Sequence, residues 1–80
     1  MRLVADRDAT YVIQIRGKVE PHWQAELQMQ LTYAETESGT ITTLTGYLPD
    51  QAAMLGVLNR LAMWGYQIVQ VRYLPPNGPS

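Results

Sequence analysis

Asp50-Gln-Ala-Ala-Met-Leu-Gly-Val-Leu-Asn-Arg-Leu-Ala-Met-Trp64 is the stretch on which the fold depends. At about 100° per residue, Met54, Val57, Leu58, Leu61 and Trp64, with Ala53, share one broad apolar stripe that needs a core to bury it. Asp50 stands at the N-cap position, where its carboxylate accepts from free backbone N–H groups and is favoured by the positive end of the helix. Gly65 supplies a left-handed stop, and Tyr66 is placed to pack back on the last turn. The opposite stripe holds Ala52, Leu55, Gly56, Asn59, Ala62 and Met63, and within the helix body only Gln51, Asn59 and Arg60 are strongly polar. One sheet covers one side of a helix, so the second stripe has nothing in the chain to bury it.

Strand patterns flank this helix. After it, Tyr66–Tyr73 reads as a last strand with Val69, Val71 and Tyr73 on one face. Before it, Leu27, Met29, Leu31 and Tyr33 alternate with Gln28, Gln30 and Thr32, which predicts a strand with one buried face. A turn of about five residues, Glu35–Gly39, then leads into the β-branched strand Thr40–Tyr47, and the pair makes a hairpin. Further upstream, Tyr11–Arg16 alternates as a first strand ended by Gly17, and Lys18–Leu27 contains one or two helical turns, with Pro21 in the first turn and Trp23 four residues from Leu27.

The predicted class is α+β, a small antiparallel or mixed four-stranded sheet under one long helix. Two arrangements fit this element order. One is a ferredoxin-like βαββαβ sandwich with a degenerate first helix; the other is a βββαβ meander, because the first connection is barely long enough for a crossover. Residues 1–80 read as a single domain with its ordered core over about 10–74, a weakly patterned start and a loose, proline-rich end.

Composition narrows the function classes. Six basic and seven acidic residues nearly cancel and are scattered, so nucleic acid is not an expected partner and no polybasic membrane patch is visible. The absence of cysteine removes disulfides, thiolate nucleophiles and sulfur-ligated metals, and no apolar run approaches the roughly 20 residues of a spanning helix. A cytoplasmic protein with no membrane span and no cofactor is the expectation.

Several short motifs carry a resemblance. Pro21-His22-Trp23, Thr42-Thr-Leu-Thr-Gly46, Pro49-Asp-Gln-Ala-Ala53 and Gly56-Val-Leu-Asn-Arg-Leu61 resemble a group of small bacterial proteins of uncharacterised function, over most of residues 11–72. In that group a TLTG hairpin precedes a helix of the form DQAALHGVLNRL, and Leu55 stands here where the group has histidine. The resemblance implies a fold and brings no activity.

A catalytic constellation is not visible in the sequence. His22 is the single histidine, and beside Pro21 and Trp23 it reads as a surface or hinge residue. Gly46 and Gly56 belong to different elements and form no phosphate loop, and Glu20, Glu26, Glu35 and Glu37 read as solvated charge. Packing Tyr11, Ile13, Leu27, Met29, Leu31, Leu44, Val69 and Val71 under the helix leaves the other sheet face with Val12, Gln14, Arg16, Gln28, Gln30, Thr32, Thr43, Thr45, Ile68, Gln70 and Arg72. Tyr47 is the one aromatic near that face, too few for RNA stacking.

The leading expectation is therefore a non-enzymatic protein-contact module, either a homo-oligomer or a small subunit of a larger assembly, using Ala52, Leu55, Asn59 and Met63. The alternative is a metabolite-sensing module that binds a small molecule through Gln14, Arg16, Gln70 and Arg72.

Overall fold

The computed structural model describes residues 9–74. The expectation of loose ends falls mostly outside these residues. The elements run β1 (Ala9–Arg16), α1 (Trp23–Leu27), β2 (Gln30–Thr36), β3 (Gly39–Leu48), α2 (Gln51–Met63) and β4 (Gln67–Leu74). All four strands form one sheet in the order β2-β3-β1-β4, with every neighbouring pair antiparallel. A meander would seat β1 beside β2; here β1 lies between β3 and β4.

Each boundary of α2 has a local cause. The Asp50 carboxylate accepts from Ala53 N–H at 2.9 Å, which satisfies one of the free donors of the first turn. At the other end Gly65 has φ 89°, and Gly65 N–H donates to Ala62 O while Tyr66 N–H donates to Leu61 O, each at 3.0 Å. This paired closure is the Schellman arrangement, and a left-handed residue is what it requires.

The core lies between the sheet and the helices. Tyr11, Ile13 and Ile15 of β1 and Leu44 of β3 are buried against Val57 and Leu61 of α2, with Leu27, Met29 and Val19 closing the cluster. Each fully buried aliphatic side chain contributes about 1.5–3 kcal/mol relative to exposure. The outward stripe of α2 remains in solvent, as its sequence pattern indicates.

Three expectations are corrected. First, the alternation from Leu27 to Tyr33 is not one strand. Leu27 ends α1, four residues after Trp23, and β2 starts only at Gln30. Between them Gln28 adopts the left-handed conformation (φ 58°), a reversal that leaves both Leu27 and Met29 buried. Second, the hairpin connection is two residues, Glu37 and Ser38, because Thr36 and Gly39 already pair across the strands. Thr36 Oγ1 stabilises that turn by donating to Gly39 O at 2.7 Å.

The third concerns β4. Opposite β1 the register steps from Gln14↔Gln70 to Ile15↔Ile68, so Val69 is the extra residue of a bulge. The bulge reverses the face alternation below it: Ile68 packs against the core, whereas Val69 is 47% exposed. Strict period-two alternation places Val69 on the core face and Ile68 on the outer one, and the bulge exchanges them.

The β1–α1 connection is held by a buried hydroxyl. Thr42 on β3 is fully buried; its Oγ1 donates to Gly17 O at 2.6 Å and accepts from Val19 N–H at 3.0 Å. Tyr33 Oη reaches the same loop, donating to Val19 O at 2.7 Å, with the Lys18 ammonium 5.5 Å from its ring centroid.

Candidate interaction surfaces

α2 packs over β3 and β4, and its four outward residues of interest lie on one helical stripe. Ala52, Leu55, Asn59 and Met63 are all exposed, Leu55 by 50% and Met63 by 81%. Among the described residues seven large hydrophobic side chains are exposed, and five of them (Leu55, Met63, Val69, Val71 and Leu74) belong to α2 or β4. Single exposed apolar residues are ordinary; Leu55 and Met63 lie on the outward stripe of α2, and Val69, Val71 and Leu74 on β4. β4 is also an edge strand with a single charged side chain, Arg72. Sequence reading missed Val69 as a surface residue because only the bulge exposes it.

The four residues expected on the outer sheet face divide differently. Gln14 and Gln70 sit directly opposite each other on β1 and β4. Arg16 and Arg72 lie two residues beyond them in opposite directions along the antiparallel pair, so the two guanidinium groups flank the glutamine pair without converging. Arg16 Nη1 reaches Ser38 Oγ at 3.4 Å, which draws it toward the β2–β3 turn. Val12, on this same outer face between Thr45 and Arg72 in the sheet, is only 9% exposed.

Among the described residues, two hollows adjoin α1. The larger, of about 530 Å³, lies where α1 passes into β2 and is lined in part by Gln24, Gln28, Gln30, Thr45 and Tyr47. The smaller, about 350 Å³, runs between the helices over Leu27, Leu48 and Val57, with Glu26 and Arg60 at its margin 3.9 Å apart. That ion pair is about half exposed at both partners, so it contributes little. None of Gln14, Arg16, Gln70 and Arg72 lines either hollow. The larger hollow was invisible in the sequence because its lining joins residues of β1, α1, β2 and β3 that meet only in the folded chain.

His22 is exposed and its ring lies 4.5 Å from that of Trp23, so its visible contact is with an indole. Among the described residues no three His, Cys, Asp or Glu side chains are grouped to hold a metal ion, and no helix is long and apolar enough to cross a membrane.

The geometry thus defines an α+β domain, a four-stranded antiparallel sheet with two helices, that exposes large apolar side chains on both α2 and β4. A family model described as Domain of unknown function (DUF8691) matches residues 10–72, and the chain belongs to that family. No curated protein and no solved structure matches the chain.

Proposed function

We propose that this domain is a non-enzymatic protein-contact module that associates with a second copy of itself through the flank built by α2 and β4. The observation that carries the reading is the concentration of Leu55, Met63, Val69, Val71 and Leu74 on those two elements. An edge strand offers unpaired backbone donors and acceptors to another strand, and β4 carries no like-charge block against its own copy. In a two-fold antiparallel pairing centred on Val71, Arg72 of each copy faces Gln70 of the other, so the contact closes without apposed cations. The near-neutral net charge of the chain, −1, adds no repulsion between copies. A small domain gains stability from such burial, since its own core is limited.

The strand order β2-β3-β1-β4 supports reading the fold as a ferredoxin-like sandwich whose first helix has shrunk to five residues. Among the described residues β2 and β4 are the edge strands, each paired on one side, and β4 is the more apolar of the two.

Sedimentation of the purified chain with Leu55→Asp and Val71→Lys variants tests the proposal. The expected result is a concentration-dependent dimer that either substitution converts to a folded monomer. A wild-type chain that is monomeric throughout, or a dimer indifferent to both changes, overturns it; a stable complex only with another protein replaces the self-contact with a hetero-assembly.

A further inference from the structure

We propose that the hollow between α1 and α2 binds a free α-amino acid with an aliphatic side chain. Its volume of about 350 Å³ stands at the small end of the range of ligand sites, roughly 300–1,000 Å³, which suits a single amino acid. Leu27 from α1, Leu48 from β3 and Val57 from α2 form its floor, each at most 5% exposed. Glu26 on α1 and Arg60 on α2 stand at its margin, with Oε2 and Nη1 3.9 Å apart. An anion, a cation and an apolar surface thus meet in one place, and an α-amino acid carries the complement of all three on a single carbon.

The spacing of the two charges selects the ligand class. In an α-amino acid the ammonium nitrogen and the carboxyl carbon are bonded to the same carbon, so its charges lie as close together as those of Glu26 and Arg60. Laid head to tail over the pair, its ammonium meets the Glu26 carboxylate and its carboxylate meets the Arg60 guanidinium. Its side chain then turns onto Leu27 and Val57, where burial of aliphatic surface adds to the binding. An acid without the amine, or an amine without the acid, satisfies only one of the two residues.

The pair is also open to exchange. Arg60 Nη1 approaches Glu26 twice, its backbone oxygen at 3.5 Å and its carboxylate at 3.9 Å, both at or beyond the outer limit of a hydrogen bond. Both side chains are about half exposed, so little is lost when a ligand comes between them. A guanidinium presents five N–H donors in a planar fork, and a carboxylate takes two of them side by side. Gly56 widens the approach: a Cβ there would meet nothing within 4 Å, so α2 offers the hollow bare backbone between Ala53 and Arg60. None of Leu55, Met63, Val69, Val71 and Leu74 lines this hollow, so the site is independent of the self-contact proposed above.

The test titrates the full chain with leucine, valine, glycine, N-acetylleucine and leucinamide, following backbone amide resonances and calorimetric heat. Saturable binding of leucine or valine is expected, with a Kd of about 1 mM or tighter and shifts centred on residues 26–28 and 53–60. Glycine, N-acetylleucine and leucinamide each bind about tenfold more weakly or worse, since each lacks one of the three complementary groups. Glu26→Gln and Arg60→Gln, both at exposed positions, each weaken leucine binding about tenfold, and Gly56→Leu, which puts a helix-favouring side chain at the wall of the hollow, abolishes it. Amide spectra of the free variants show that they remain folded. The proposal is overturned by absence of saturable shifts with both leucine and valine, by glycine binding as tightly as leucine, or by folded variants that bind as the parent does. N-acetylleucine or leucinamide matching leucine also overturns it and assigns the hollow to the end of a peptide chain instead.

Discussion

The indole rings of Trp23 and Trp64 stack with centroids 4.0 Å apart and planes 20° from parallel. Trp23 opens the five-residue α1 and Trp64 caps the C-terminal end of α2, so this contact ties a helix too short to be stable alone to one that is anchored on the sheet. A double-mutant cycle of Trp23→Ala and Trp64→Ala is expected to show a favourable coupling of about 0.5–1.5 kcal/mol in chemical denaturation. Additive single effects would show that the rings are merely neighbours. Because α1 forms one wall of the larger hollow, Trp64→Ala is also expected to broaden the amide resonances of Gln24 and Gln28.

Replacing the buried hydroxyl of Thr42 tests what holds the β1–α1 connection. Thr42→Val keeps the shape but leaves Val19 N–H and Gly17 O without their partner, at a cost of about 2–3 kcal/mol. Thr42→Ser keeps both bonds and loses a methyl, costing about 1 kcal/mol. Equal losses from the two substitutions, measured by urea unfolding, would show that packing and not hydrogen bonding sets the effect.

Gly46 explains the end of the TTLTG motif. A Cβ there would lie 2.7 Å from Met29 Cγ and 3.1 Å from Gln28 O, so the chain segment leaving α1 crosses β3 at a distance only glycine permits. Gly46→Ala is expected to destabilise by about 1–3 kcal/mol. Shortening Met29 in the same chain should recover part of this loss but not all of it, since the backbone oxygen of Gln28 cannot withdraw as a side chain can.

Gly56 predicts the opposite sign. It sits within α2, a Cβ there would meet nothing within 4 Å, and a mid-helix glycine costs about 0.5–1 kcal/mol relative to alanine. Gly56→Ala should therefore raise stability by that amount in thermal unfolding of the dilute protein. A decrease would reveal that another surface closes on this side of α2.

Much of the architecture was legible because it rests on short-range rules. The Asp50 cap, the Gly65 closure, the Val57 and Leu61 core stripe and the exposure of Leu55 and Met63 follow from residue spacing on a single helix. The Gln28 turn was less legible. Leu27, Met29 and Leu31 alternate like a strand, but Trp23 and Leu27 also satisfy a helical spacing, and a left-handed Gln28 serves both by ending one element before the other begins.

The sequence by itself determined the order of the helices and strands, which stripe of α2 is core, and that an apolar stripe is left over. Only the tertiary structure decided that β1 lies between β3 and β4, that Ile68 and not Val69 faces the core, and that a hollow opens beside α1. The physical reason is range. Caps and amphipathic stripes are set by neighbours a few residues apart, whereas a bulge and a hollow arise from registers and crossings between segments that meet only once the sheet has closed.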